Sequence, residues 1–361
     1  MGTLVKDSYL EVFRGKRVLV TGHTGFKGSW LTLLLRSLGA DVLGYALSPE
    51  YEDSHFDRLS LEKSIRHVCA DIRDGDRLLS EVATFQPEIV FHLAAQALVR
   101  PSYNEPKTTF DVNVGGGVNL LEAVRQCEAV RALVFITSDK CYENLEWIWG
   151  YRESDTMGGH DPYSASKGAV ELVFSSYLRS FFANRPNFGA ASARAGNVIG
   201  GGDWAVDRIV PDCIRAVQSG RAITIHRPRA TRPWQHVLEP LSGYLKLGAK
   251  LYERGHAYDG AWNFGPNVGD VRTVLDVANA IACQFANGSV IVDEPCDMPH
   301  EANLLQLNSD KARQLLQWST RWDFDQTLAA TGSWYSEVLV NGRSAEEISR
   351  AQISAYYGGQ I

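Results

Sequence analysis

From Arg17 onward the chain alternates short runs of β-branched and apolar residues with longer stretches whose apolar positions recur at helical spacing. The run RVLVT predicts a buried strand at 17–21; a glycine-rich turn follows, then a helix at 26–38 closed by Gly39, and a second strand at 41–46. Further strands are expected at 65–69, 89–93, 132–137 and 189–193, with helices near 74–85, 111–127 and 163–182 between them. Such alternation is the pattern of a parallel sheet covered by helices on both faces, a doubly wound α/β architecture. After Gly196 the rhythm weakens into loops rich in Gly, Pro and Arg, with shorter helices near 208–218, 236–254, 271–286 and 309–317. The expected organisation is a sheet domain over 1–196 and a smaller substrate-binding lobe over 197–361 that closes over the strand ends, some of its segments returning to the first domain.

Composition narrows the class without naming a ligand. The 361 residues suffice for one large or two fused domains, and a formal charge of −6 with no long basic block argues against a nucleic-acid surface. No apolar run reaches bilayer length, and the amino terminus lacks the apolar core of a secretory signal; the expectation is a cytoplasmic protein with no membrane partner. Six cysteines, at 69, 127, 141, 213, 283 and 296, form no C-x-x-C pair and no Cys/His cluster, so free thiols and no metal are expected.

Chemistry enters at the first turn. TGHTGFKG places Gly22, Gly25 and Gly28 between the first strand and the first helix, the Rossmann-type order in which glycines permit a tight turn, backbone approach to a pyrophosphate and helix-to-sheet packing. A glycine-rich turn without a ligand is the competing reading. The end of the second strand, Tyr45 to Pro49, holds neither a carboxylate for a ribose hydroxyl nor an arginine for a 2′-phosphate, which leaves NAD against NADP open.

In DPYSASK, Tyr163 and Lys167 stand four apart on an expected helix, sharing one face, with Pro162 where the helix would begin. A lysine cation near a phenol favours the phenolate, a base suited to a sugar hydroxyl. Tyr103 and Lys107 have the same spacing, yet Pro106 intervenes and no strand precedes them. TSDKCYEN follows the fifth strand and puts Ser138, Asp139 and Lys140 on the rim where such sheets hold ligands, although Ser and Asp are also ordinary turn residues.

These segments, with FHLAAQ, RAGNVIGGGDW and TRPWQHVLEPL, make nearly the whole chain resemble the nucleotide-sugar dehydratases of the extended short-chain dehydrogenase/reductase family. Dehydratases acting on dTDP-glucose and GDP-mannose carry Thr, Asp and Glu at the rim; lysine in the glutamate's place resembles the branch acting on CDP-glucose. The resemblance implies internal redox chemistry with NAD and CDP-glucose, in deoxysugar biosynthesis for surface polysaccharide. Tyr163 would take the proton of the 4-hydroxyl, Ser138 would hydrogen-bond that hydroxyl, and Asp139 would protonate the departing 6-hydroxyl. Lys140 would act as the carbon-5 base in its neutral form, or else only position Asp139 or a water. Implied cofactor contacts are Gly22, Thr24, Gly25, Phe26, Gly28, Asp71, Ile72, Leu93, Ala94, Ala95, Tyr163 and Lys167. Implied substrate contacts are Gln96, Ser102, Asn197, Arg208, Arg229, Arg232, Gln235 and His300, with Glu301 beside it. Gly200 to Gly202 would let backbone approach the ligand, and Trp204, Trp234 and Trp262 either stack on a pyrimidine or fill core. Family members commonly pair through two long helices, here 111–127 and 163–182, so a homodimer or homotetramer is expected. A UDP-sugar 4-epimerase, another dehydratase of this family, and a dinucleotide sensor without catalysis remain the alternatives.

Overall fold

The computed structural model describes residues 8–266, 272–293 and 304–361. Seven parallel strands form the central sheet: β1 (Arg17–Thr21), β2 (Asp41–Ala46), β3 (Arg66–Cys69), β4 (Ile89–His92), β5 (Ala132–Ile136), β6 (Gly189–Arg194) and β7 (Gly260–Asn263). Their spatial order is β7-β6-β5-β4-β1-β2-β3, so the order reverses beside β1 and opens a crevice at the carboxyl ends of β1 and β4. The register sets Thr21 level with both Tyr45 and His92, which brings three strand ends to one rim.

Helices cover both faces. One core packs α1 (Phe26–Ser37), through Trp30, Leu31 and Leu34, and the later helix Leu238–Arg254, through Leu241 and Leu245, against Val18, Val20 and Val134. The opposite core packs α2 (Gly75–Phe85), α3 (Gly116–Gln126) and α4 (Pro162–Tyr177) against Leu19, Val90 and Leu133. Both faces of the central strands are therefore buried, which is why they read as continuous apolar runs.

Three features depart from the sequence expectation. The seventh strand, GAWN, pairs with β6 and extends the sheet from within the second half of the chain. The helices expected at 111–127 and 163–182 each contain a π-helical turn, Asp111–Gly115 before α3 and Leu178–Phe182 after α4. Two carboxyl-terminal helices, Phe324–Tyr335 and Ala345–Tyr356, also went unread; the first leans on the loop after β6, where the Tyr335 hydroxyl donates to the Asp203 carbonyl at 2.6 Å.

Candidate active site

The glycine turn is built as a cradle. Gly22 has φ +74, and a Cβ there would stand 2.7 Å from the Ala94 nitrogen, so the turn fits only by passing directly over the loop leaving β4. A Cβ on Gly28 would meet the Gly22 carbonyl at 2.1 Å, which fixes the closeness of the first helical turn to the loop. Gly25 is different: it is the N-cap of α1, makes no side-chain cap, and a Cβ would meet only the Gly22 carbonyl, at 3.4 Å. The free N–H groups of α1 thus face open space that a side chain would fill, the arrangement that suits a pyrophosphate. Thr24 ties the turn to the end of β2, its hydroxyl donating to the Leu47 carbonyl at 2.9 Å. Leu93 and Ala94 are held by β1, their N–H groups donating to the carbonyl and hydroxyl of Thr21. Ile72 is buried against Gly116, while Asp71 chelates its own neighbour Arg73 and behaves as a turn residue.

At the end of β5, Ser138 caps a short 3-10 turn and donates to Asp139 Oδ1 at 2.9 Å. Asp139 is only 4% exposed and its carboxylate rests against Gly196, where a Cβ would come within 1.9 Å of Oδ2. Lys140 points partly to solvent, and its ammonium has no hydrogen-bond or ion-pair partner among the described residues. Asp161 caps α4 by accepting from the Ser164 N–H, and Pro162 occupies the first turn, so the helix starts where it delivers Tyr163 and Lys167 inward. Both are buried, with the Lys167 ammonium 5.9 Å from the Tyr163 ring centroid.

The charges around the phenol differ from the sequence expectation. Burial pushes Tyr163 up to about 12; hydrogen bonding from Ser138 and the charge of Arg208 pull it down, while Asp139 pushes it further up. Lys167 is not among the main influences on the phenol. Its own value falls to about 8 through burial, opposed by Glu171 and Cys141.

The residues read for the substrate side scatter more widely. Arg208 lies within electrostatic reach of Tyr163 and pairs with Asp203 at 3.0 Å. Arg229 is exposed and lines a cavity of about 370 Å³ with His226, Arg227, Pro228, Ala230, Thr231 and Leu304. Arg232 lies on the two-residue strand beside it, donating to the Thr231 carbonyl. Gln96 is engaged within its loop by Thr109 and the Leu98 N–H, and Ser102 by the Val99 carbonyl and the Tyr163 N–H. Gln235 donates to Phe264, and Asn197 adopts a left-handed φ of +51 at the turn after β6. Gly201 and Gly202 approach protein rather than open space: a Cβ on either would strike Trp334 or His55. Trp262 and Trp234 are core residues. His300 and Glu301 lie outside the described residues.

The family model described as GDP-mannose 4,6 dehydratase matches residues 19–331. A CDP-glucose 4,6-dehydratase of Salmonella typhimurium is 46% identical over 349 residues, spanning 95% of this chain and 97% of the relative. The chain belongs to this dehydratase family. Among solved structures, an epimerase of Methanothermobacter thermautotrophicus superposes with a TM-score of 0.77 at 26% identity, over 95% of this chain and 97% of its own. The UDP-glucose 4-epimerase of Thermus thermophilus in complex with NAD gives 0.75 at 27% identity, over 88% and 98%.

Against this dehydratase background, three residues missed in the sequence come forward. Asn113, in the π turn before α3, donates to the Gln96 carbonyl and to Ser166, locking the β4 loop to α4. Glu171, one turn beyond Lys167, forms a buried pair with Arg194 at 2.8 Å and accepts from Thr137 and Ser192, fixing the floor of the site. Lys27, inside the glycine motif itself, senses Arg208, Asp139, Lys167 and Asp203. A charged residue in the first turn of a dinucleotide helix was the available signal.

Proposed function

We propose that the protein is a CDP-glucose 4,6-dehydratase, converting CDP-D-glucose to CDP-4-keto-6-deoxy-D-glucose and water with resident NAD. The observation that carries the reading is the burial of Ser138, Asp139, Tyr163 and Lys167, with Asp139 and Lys167 within electrostatic reach of Lys27 in the first turn after Gly25, in a chain 46% identical to a protein of that name. The cradle suits the pyrophosphate, through the N–H groups of α1, with Thr24, Phe26, Ile72 and the Leu93 to Ala95 loop lining the dinucleotide's path. Bound there, the nicotinamide supplies a hydride acceptor that later gives the hydride back.

Tyr163 takes the proton of the 4-hydroxyl as the carbon-4 hydride leaves, with Ser138 hydrogen-bonding the same oxygen. The resulting ketone acidifies carbon 5. Loss of that proton and of the 6-hydroxyl, which Asp139 protonates, releases water; the hydride then returns to carbon 6 and a proton to carbon 5. Lys140 serves at the carbon-5 step. Arg208, Arg229, Arg232 and Asn197 are the candidates for the nucleotide diphosphate and sugar.

Two copies pairing through the helical faces of 111–127 and 163–182 form the assembly; the exposure of Phe110, Leu172 and Phe181 on or next to these helices supports this. No helix among the described residues is long and apolar enough to cross a membrane, in keeping with a cytoplasmic role in deoxysugar synthesis. The test is incubation with CDP-, UDP-, dTDP- and GDP-glucose under mass detection. Loss of one water from the CDP sugar alone, with the alkali absorbance of a 4-keto product, is expected; an isobaric epimer instead would overturn the reading.

A further inference from the structure

The family resemblance implies that Gln235 touches the substrate, yet its side chain is enclosed by protein and only 2% exposed. It lies on a two-residue strand, Gln235–His236, paired in parallel with Val198–Ile199 beyond β6. Its backbone N–H donates to the Asn197 carbonyl at 3.2 Å, and its side-chain nitrogen donates to the Phe264 carbonyl at 2.9 Å and the Gly196 carbonyl at 3.3 Å. Both neighbours of that nitrogen are carbonyl oxygens, so the amide can face them only with its NH2 end. Its protons are thereby used and none is left for a ligand. The amide oxygen Oε1 is buried without a partner among the described residues. An enclosed acceptor without a donor is unfavourable, and an apolar side chain of similar size would avoid it. What the amide adds in return is a hold on two carbonyls.

One of those carbonyls belongs to the wall of the site. The β6 ladder ends at Arg194, whose carbonyl accepts from the Phe264 N–H. Two residues further on, among the described residues, the Gly196 carbonyl accepts from Gln235 and from no other group. Asn197 then turns the chain with a left-handed φ of +51. Gly196 thus stands past the end of the ladder and before a turn, where the amide supplies the bond that the sheet does not. The Asp139 carboxylate rests directly on this residue, with Oδ2 only 1.9 Å from where a Cβ would be, and is held besides by the Ser138 hydroxyl at 2.9 Å from Oδ1.

We propose that Gln235 is a positioning residue for water loss, setting the place of Asp139 through the Gly196 backbone, and not a substrate contact. This rests on the dehydratase reading given above, in which Asp139 protonates the departing 6-hydroxyl. Without the amide, Gly196 is free to retreat and the carboxylate to follow it. A shift smaller than the roughly 1 Å that costs about 10²-fold should slow elimination about tenfold. The oxidation at carbon 4 relies on Tyr163 and Ser138 and is spared.

Gln235→Met and Gln235→Leu remove the donors while keeping an apolar side chain in the space. When the full-length protein loaded with NAD is mixed with CDP-glucose, both variants should form reduced cofactor at the wild-type rate and then lose water about tenfold more slowly. Reduced cofactor therefore accumulates, and KM is unchanged. Placed on Asp139→Ala, neither substitution should slow the residual elimination further, because no carboxylate is left to place. Unaltered kinetics, equal slowing of oxidation and elimination, a change confined to KM, a further loss on Asp139→Ala, or failure of both variants to fold would each overturn the proposal. Equal slowing or lost folding would assign the amide to the fold alone, and a KM effect would return it to the substrate. If the wild-type protein itself forms no reduced cofactor and removes no water from any sugar nucleotide of the panel, the functional reading fails before the variants are compared.

Discussion

Gly196 holds Asp139 in place through the absence of a side chain, and Gly196→Ala tests this directly. A Cβ at this position would sit 1.9 Å from Oδ2, 2.2 Å from Cγ and 2.7 Å from Oδ1 of Asp139. Returning the nearest contact to an ordinary van der Waals separation requires the carboxylate to move by about 1.5 Å, since Asp139 is buried and backed by Ser138. A misplacement of about 1 Å in a reacting group can cost about 10²-fold, so water loss should slow by roughly 10²-fold or more while the oxidation at carbon 4 proceeds. In stopped-flow mixing with CDP-glucose, reduced cofactor should build up by its near-ultraviolet absorbance and a 4-keto hexose should be trapped. Asp139→Ala alone and combined with Gly196→Ala should then be equally slow, because the added methyl has no carboxylate left to displace. Wild-type turnover in Gly196→Ala, or a further loss in the double variant, would refute the argument.

Tyr163→Phe should abolish the first oxidation while leaving NAD affinity within about twofold by titration calorimetry, because the phenol contributes a proton acceptor and not the cradle. Lys140→Glu should change turnover at the elimination step, read as a shift in accumulated reduced cofactor; unaltered kinetics would remove Lys140 from the mechanism. Glu239, whose carboxylate accepts from the Arg321 and Trp322 N–H groups and the Tyr356 hydroxyl, is pushed up to about 7 by burial. An acid raised in the folded state favours folding below its unfolded value and loses that contribution as pH rises through about 7. Between pH 5 and 8, roughly, the Tm of the wild type should therefore fall more steeply than that of Glu239→Gln, and parallel curves would contradict this.

What the sequence disclosed follows from where each element gets its stability. Strands such as RVLVT and ALVFI are buried on both faces and carry their burial in their own composition. GAWN does not: it holds a glycine, no β-branched residue, and becomes a strand because β6 offers an edge. The carboxyl-terminal helix Phe324–Tyr335 did carry a local signal, the reciprocal cap of Asp323 and Gln326, which was passed over. In the site, Tyr163, Lys167, Ser138 and Asp139 were legible because strand, loop and helix order fixes them to one rim. Spacing records a close approach at Gly201 and Gly202 without recording to what; Trp334 and His55 arrive there from distant segments. The influence of Arg208 on Tyr163 was invisible for the same reason.

The relation between Asp139 and Tyr163 has a consequence for the order of events. Asp139 raises the phenol's resistance to ionisation, and Ser138 stands between the two groups, its single hydroxyl proton donated either to the carboxylate or to the phenol oxygen, where it eases ionisation. The proposed chemistry asks the pair for opposite roles: the phenol to take the 4-hydroxyl proton, and the carboxyl to give a proton to the departing 6-hydroxyl. Neutralising the carboxylate lowers the barrier to ionising the phenol, so forming the acid helps form the base, and the shared serine gives the proton a path between them. Asp139→Asn should thus move the alkaline-going limb of the carbon-4 oxidation toward lower pH while elimination is lost. The measurement is the pH dependence of the single-turnover rate at which reduced cofactor appears. A limb that stays at the wild-type pH would mean that the Asp139 charge does not act on the phenol, and the link through Ser138 would have no part in the reaction.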